Sequence, residues 1–426
     1  MDKRIQALVD LTKEKFGLQN YYLGRHDLNR SVTIFKETNY TLTMEWFPAH
    51  APKPGEDDLN PEGTAVIEID IHQQVFISAI FVGGKSFAEN GISFSSLSTD
   101  AVIGWVEKET GLVFGKQFSV QKTSRQEYRF QACVNGTAVS PGGQIEVKMD
   151  KKGQLLFFSI TGDFPTTDVV EEAVYQLSLE SIEPLAKKQA QLVEFPALEQ
   201  EKLIPVYAME EIYVKNDQTG TITFDIGTPS GTVETIDRPI VWDEQQVDSL
   251  NSFTPLNRGW QDKVTTDQAF SLEASPDVLP ITLEQQAGCV EAVKQVLLQE
   301  YPDDSGKWII KTIHRDNGKM VATLKSNNHT QRVFSRKLLV FIDADRLIPE
   351  NYIDNQDLWE VFESWEVPES VTIPKEVAFE KIKGHVELEP VYVYDSSKNK
   401  YVLCGKLDCH HGVSAADGEV IALEDL

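Results

Sequence analysis

Apolar and polar positions along this chain change period in a regular way. A stretch of helical spacing comes first, then several stretches of alternation. In MDKRIQALVDLTKEKFG, residues Ile5, Leu8, Val9, Leu11, Thr12 and Phe16 fall near one helical face, with charges opposite. SVTIF, YTLTMEWF, TAVIEIDI and QVFISAIF follow as half-buried strands, separated by Asn, Pro, Gly and Asp. SLSTDAVIGWVEKETGLVFG opens a second round, in which Ser98 or Thr99 caps a helix whose apolar face begins with Val102, Trp105 and Val106. Strands FSVQKT, YRFQACV, QIEVKMD and QLLFFSI come next. A third round starts at ITLEQQAGCVEAVKQVLLQEY, with Cys289, Val293, Val296, Leu297 and Tyr301 at helical spacing, before KWIIKTIHRD, KMVATLKS, HTQRVFSR and KLLVFIDAD. A fourth runs from TIPKEVAFEKIKGHV through PVYVYD, KYVLCGKLD, GVSAAD and EVIAL.

The rounds share an ending of strand, acidic or polar turn, and strand. IEIDIHQQVFIS, IEVKMDKKGQLLFFS, LVFIDADRLIP and VSAADGEVIAL are its four versions. Short Asp-containing turns join antiparallel strands, with Gly supplying positive φ where it is needed. The pattern predicts an α+β fold of antiparallel sheets, each packed on a helix, in two related halves. Residues 1–165 form the N-terminal half with two units, and residues 281–426 the C-terminal half with two more. Residues 166–280 connect them. There TTDVVEEAVYQLSLESIEPLAKKQAQLVEF reads as helix with a break at Pro184, and LIPVYAMEEIYVKND with TITFDIG reads as a hairpin. From about Thr228 to Pro280 the chain is irregular and rich in proline, although Trp242 and Trp260 point to parts that pack.

The ending GVSAADGEVI, preceded by a helix and strands, resembles the close of a PepSY-type unit, and Ala416-Asp417-Gly418-Glu419 carries the likeness most clearly. The doubled layout, with Pro-Val-Tyr strands at Pro205 and Pro390, is similar to the repeated-domain family called YcdB/YcdC of spore-forming bacteria. The versions at Ile67 and Leu339 lack the turn glycine. The resemblance implies tandem PepSY-like helix-plus-antiparallel-sheet units. Such units occur in propeptides of secreted metallopeptidases, which they hold inactive, and in envelope proteins. The family offers no catalytic residues to carry over.

Charge narrows the partners. The chain has 66 acidic and 40 basic residues among 426, a formal charge of -26. Such a surface repels phosphate backbones and anionic lipid, so nucleic acid is not expected as a partner, and Arg332, Arg336 and Lys337 form only a modest basic cluster. No stretch approaches the roughly 20 apolar residues needed to span a membrane, so no membrane insertion is expected. The N-terminal pattern is amphipathic rather than signal-like. Cys133, Cys289, Cys404 and Cys409 form no disulfide framework. Together these features lead us to expect a cytoplasmic chain.

Candidate chemistry is sparse. CGKLDCHHG brings Cys404, Cys409, His410 and His411 within eight positions, the types that zinc accepts. Strand alternation separates them: Cys404 and Cys409 have opposite parity, as do His410 and His411. Cys409 and His411 share a face but supply only two ligands, so no native metal site is expected. FVGGKS at Phe81–Ser86 has the tail of a phosphate loop but lacks its first glycine, since Ala79 stands there, and its following helix. Ser397 and Lys400 match Ser-x-x-Lys, but in a turn. Glu210–Glu211, Asp303–Asp304 and Asp57–Asp58 read as solvated carboxylates, and Trp46, Trp308 and Tyr392 as core. No catalytic residue, cofactor or metal is therefore expected. The reading is a non-catalytic binding or regulatory protein that engages a protein or peptide partner, for which exposed strand edges and an acidic face that favours basic partners are suited. The alternatives are an enzyme whose site is assembled from dispersed carboxylates and histidines, or a small-ligand carrier.

Overall fold

The computed structural model describes residues 1–50, 60–223, 231–243, 263–327, 333, 335–363, 365 and 370–426. The chain is an α+β protein dominated by antiparallel strands. Its contacts separate two compact units that interleave in sequence. Unit 1 comprises Met1–Glu172, Gln261–Ser275 and Val391–Val402, and unit 2 the remainder. The ranges read from the sequence pattern are contiguous, whereas these units are not.

In unit 1, helix α1 (Lys3–Lys15) is followed by β1 (Tyr21–Val32), β2 (Thr38–Pro48), β3 (Ala65–Asp70) and β4 (Phe76–Phe81). Helix α2 (Thr99–Thr110) is followed by β5 (Phe118–Thr123), β6 (Glu127–Val134), β7 (Thr137–Ser140), β8 (Gln144–Met149) and β9 (Leu155–Thr161). Asp2 caps α1 and Ser98 caps α2, each accepting a backbone N–H in the first turn. The last strands of the two rounds pair, Ala79 with Phe158, so both rounds share one sheet in the order β1-β2-β3-β4-β9-β8-β6-β5. One core serves both: Ile5, Leu8 and Val9 of α1 and Val102 and Val106 of α2 are buried with inward residues of the strands.

Past β10 (Val170–Glu171) the expected long helix is absent. Only α3 (Leu179–Gln189) is helical, and β11 (Ala190–Ala197) replaces the rest. Pro184 lies inside α3 rather than ending it. The missing N–H leaves one carbonyl without its helical partner, but buried Ile182 and Ala186 fix the face, and a Ser178–Ser181 capping box holds the start. Next come β12 (Lys202–Met209), β13 (Ile212–Lys215) and β14 (Thr221–Thr223).

Within the stretch expected to be irregular, Val233–Ile240 forms strand β15. It is an edge strand, which is where Pro239 is tolerated. A short helix α4 (Thr266–Phe270) belongs to unit 1. Trp242 is buried with α5 (Leu283–Glu300), while Trp260 lies outside the described residues. Then β16 (Trp308–Asp316), β17 (Lys319–Ser326), β18 (Lys337–Asp343) and β19 (Pro349–Asp354) complete a sheet in the order β15-β16-β17-β18-β19. Most of the HTQRVFSR stretch also lies outside the described residues.

After α6 (Gln356–Glu363) and α7 (Lys375–Ile382) come β20 (Glu387–Asp395), β21 (Lys400–Asp408), β22 (His411–Ser414) and β23 (Val420–Ala422). Here the sheets exchange strands. β11 and β12 continue into β22 and β23, and β20 and β21 continue into β13 and β14. Val206 pairs with Ser414, and Val214 with Gly405. The expected hairpin of LIPVYAMEEIYVKND with TITFDIG forms through β13 and β14, Val214 pairing with Thr221, whereas β12 enters a different sheet. The two Pro-Val-Tyr stretches are also not equivalent, lying on the second strand after α3 and the first after α7. The tip of the β20–β21 hairpin, 391–402, belongs to unit 1, where Tyr392 pairs with Val139 and Tyr401 with Val170.

The recurring turn is one device. Asp70 Oδ1 accepts the N–H groups of His72 and Gln73, Asp150 Oδ1 those of Lys152 and Gln154, and Asp343 Oδ1 those of Asp345 and Arg346. Asp417 Oδ1 accepts from Glu419. Where the turn glycine is missing, Gln74 and Leu347 themselves take positive φ, matching Gly153 and Gly418. A fifth version closes β13 onto β14, with Gln218 at positive φ and Asp217 accepting from Thr219.

Candidate functional site

The Cys/His stretch ends on the exchanged sheets. Cys404 is buried on β21, and Cys409 is buried one residue past it, among Val413, Ala415 and Phe379. The Cys409 Sγ–H donates to His411 O at 3.3 Å. His410 is exposed, 3.8 Å from Asp408. His411 stacks on His385, ring centroids 4.1 Å apart. Among the described residues no three His, Cys, Asp or Glu side chains are placed to hold a metal.

All four cysteines are free and buried. Burial pushes the thiols of Cys133 and Cys409 up, and that of Cys289 up to about 11. Thiolate is the reactive form. We therefore expect negligible reaction of the folded chain with a chromogenic disulfide reagent at pH 8, and full reaction of the same four thiols in denaturant. Rapid reaction of any one under native conditions would contradict its burial.

The other motifs are held by local contacts. In FVGGKS, Val82–Gly84 is a 3-10 turn followed by extended Lys85, which pairs with Glu62. Ser397 Oγ donates to Asp395 at 2.5 Å within its turn. Glu211 pairs with Lys406, and Asp304 with Lys307. Asp57 and Asp58 lie outside the described residues, as does Arg332. Trp46, Trp308 and Tyr392 are core residues.

A charge-coupled cluster that the sequence pattern did not reveal closes one end of the α5 sheet. The Arg336 guanidinium carbon stands 5.2 Å from the Tyr301 ring centroid and 5.1 Å from that of Trp308. Its Nη2 donates to Asp354 Oδ2 at 2.8 Å and to Gln356 Oε1 at 2.6 Å. The Tyr301 hydroxyl donates to the same Asp354 oxygen, and the Tyr352 hydroxyl to Glu300. Burial, then the adjoining carboxylates, pushes both phenols up, that of Tyr352 to about 12. Both phenols thus stay protonated as donors, and the chemistry is that of a closed structural knot. Two further features are open. A groove of about 410 Å³ lies between α3 and the β13–β14 hairpin, lined by Ile182, Pro184, Leu185, Val214, Thr219 and Thr221 among others. Among the described strands β5 pairs only with β6; on its other edge Phe114 bridges to Phe118 and Gly115 N–H donates to Phe118 O at 2.8 Å, and Val113, Phe114 and Val120 are exposed there, with Lys116, Lys122 and Arg125 nearby in sequence.

No family model matches the chain, and no curated protein matches it. Among solved structures it is similar to the Bacillus megaterium YpeB C-terminal domain, at 9% identity over 83% of this chain and 97% of that one, with a TM-score of 0.23. That score is too low for the likeness to carry an argument. No helix among the described residues is long and apolar enough to cross a membrane.

Proposed function

We propose that the chain is a non-catalytic binding protein built from tandem PepSY-like units, and that it takes up an extended segment of a protein partner along β5. The observation that carries this reading is the edge itself: beyond Phe118, which the 114–115 turn covers, the side of β5 away from β6 has no strand partner among the described residues and is flanked by exposed Val113, Phe114 and Val120. A peptide strand added there gains main-chain hydrogen bonds from the edge and buries apolar side chains. Lys116, Lys122 and Arg125 oppose pairing with a second copy of the same edge and favour a segment with carboxylates. This local charge reverses the acidic balance of the whole chain, so a basic partner is a poorer fit at this edge. The repetition of one helix-on-sheet unit and its Asp turn supports the PepSY-like reading, and the free buried cysteines support a reducing, cytoplasmic setting.

A quantitative pull-down from native lysate at low and moderate salt tests the proposal, with Val120→Pro beside the unaltered chain. We expect one stoichiometric partner, weakened by salt and reduced at least tenfold by the proline, which cannot donate to an added strand. Equal capture by both proteins would remove β5 as the binding edge.

A further inference from the structure

Segment 263–275 is separated from the rest of unit 1 by a long stretch of sequence, yet it belongs to that unit. Its helical turn α4 is capped reciprocally by Thr265 and Gln268. Ala269 is fully buried in the unit 1 core, and Val264 and Phe270 pack against it. Three side chains hold the segment by its backbone. His72 Nε2 donates to Ala269 O at 2.8 Å, the Tyr40 hydroxyl donates to Glu273 O at 2.6 Å, and Thr38 Oγ1 accepts from Ser275 N at 2.9 Å. The Asp70 turn positions His72, whose own N–H it binds. Arg4 adds side-chain recognition: Nη2 donates to Asp267 at 2.9 Å, and the guanidinium lies 4.6 Å from the Phe270 ring centroid.

We propose that this face of unit 1 is a peptide-binding site, which the chain's own segment 263–275 keeps shut. Its external ligand is a partner segment of the same chemistry: a short N-capped helical turn with a carboxylate, a small residue and an aromatic ring at the spacing of Asp267, Ala269 and Phe270. Bonds to carbonyls and N–H groups are indifferent to side-chain identity, so Tyr40, His72 and Thr38 accept any segment of that shape. Arg4 and the Ala269 pocket confer the selectivity. Little of the segment is buried: Ala269 and Ser275 are enclosed, while the Asp267 side chain is 93% exposed and Leu272 projects outward. The covalent tether adds to these contacts. A covalently attached segment has an effective concentration on the order of millimolar, which excludes dilute competitors until the segment is drawn off. This surface is separate from the β5 edge.

The test uses the full chain and a fluorescent peptide with the sequence of residues 263–275. Ala269→Arg places a charge where no exposure exists and expels the native segment. Asp267→Lys combined with Phe270→Ala loosens the segment without charging the core. We expect the variants to bind the peptide at least tenfold more tightly than the unaltered chain. Adding Arg4→Ala should cost at least threefold, and Val120→Pro should change nothing. Hydrogen exchange of β2 and β3 reports whether unit 1 stays folded. A folded variant that takes up no peptide, or takes up a scrambled one equally, overturns the proposal. Loss of β2–β3 protection in both variants also overturns it, because the segment would then be part of the fold rather than its occupant.

Discussion

Replacing Val413 with aspartate will melt two sequence-distant segments together. Val413 is fully buried on β22, paired with Tyr207 of β12 on one side and Val420 of β23 on the other. A carboxylate there has no partner, and burying an unpaired charge costs about 4 kcal/mol or more. β22 is the only described link between β12 and β23, so their sheet loses its continuity. Phe379 and Ile382 of α7 share the same core and lose their packing. Native-state hydrogen exchange should show amides of both 190–209 and 411–422 losing protection in one step, with β2 and β3 of unit 1 unchanged. Loss confined to 411–422 would mean that the exchanged strands do not fold cooperatively.

Arg336→Ala will have the next largest effect. The guanidinium is the charged partner of Asp354, whose side chain is only 9% exposed. Removing one member of a buried pair strands the other, at about 3 kcal/mol. The faces of Tyr301 and Trp308 lose their cover as well. Arg336→Lys restores charge but neither the planar stacking nor the forked donors, so it should recover less than half of the loss. Asp354→Asn combined with Arg336→Ala should cost less than the sum of the singles, since each already breaks the same contact. Denaturant unfolding followed by tryptophan fluorescence reads the unaltered chain, the three single variants and the double. Equal stability of Arg336→Ala and the unaltered chain would refute the structural role of the knot.

Helices α1, α2, α5 and α7 were legible because each carries an apolar face at helical period and most have a capping side chain at the expected place. The Asp turns were legible too, because the carboxylate does the same local work wherever it recurs. Strand neighbours were not. Alternation reports which face of a strand is buried, never which strand lies beside it, so the exchange between β12–β22 and β13–β21 left no mark on the pattern. The stretch from Thr166 failed for a different reason: QLVEF has residues compatible with either state, and pairing with β12 decided for strand. At the candidate sites, opposite parity kept Cys404 and Cys409 from being read as joint ligands. The knot was invisible because Tyr301, Trp308, Arg336 and Asp354 come from separate elements. The α4 segment was invisible because five helical residues are too few to show a period.

The strand exchange also sets an order of birth on the ribosome. Unit 1 can pair its own meanders once β9, which ends at Thr161, has emerged, because it is the last of those strands. β12 has no such option on its inner side. Its partner at Ser414 is made about 200 residues after Val206, and at roughly 5–20 residues per second that is a wait of about 10–40 seconds. Throughout that interval the edge bearing Val206 and Tyr207 is uncovered in the nascent chain. Synthesis of β21 and β22 then closes the two sheets, which makes that stretch the step that commits unit 2 to its fold.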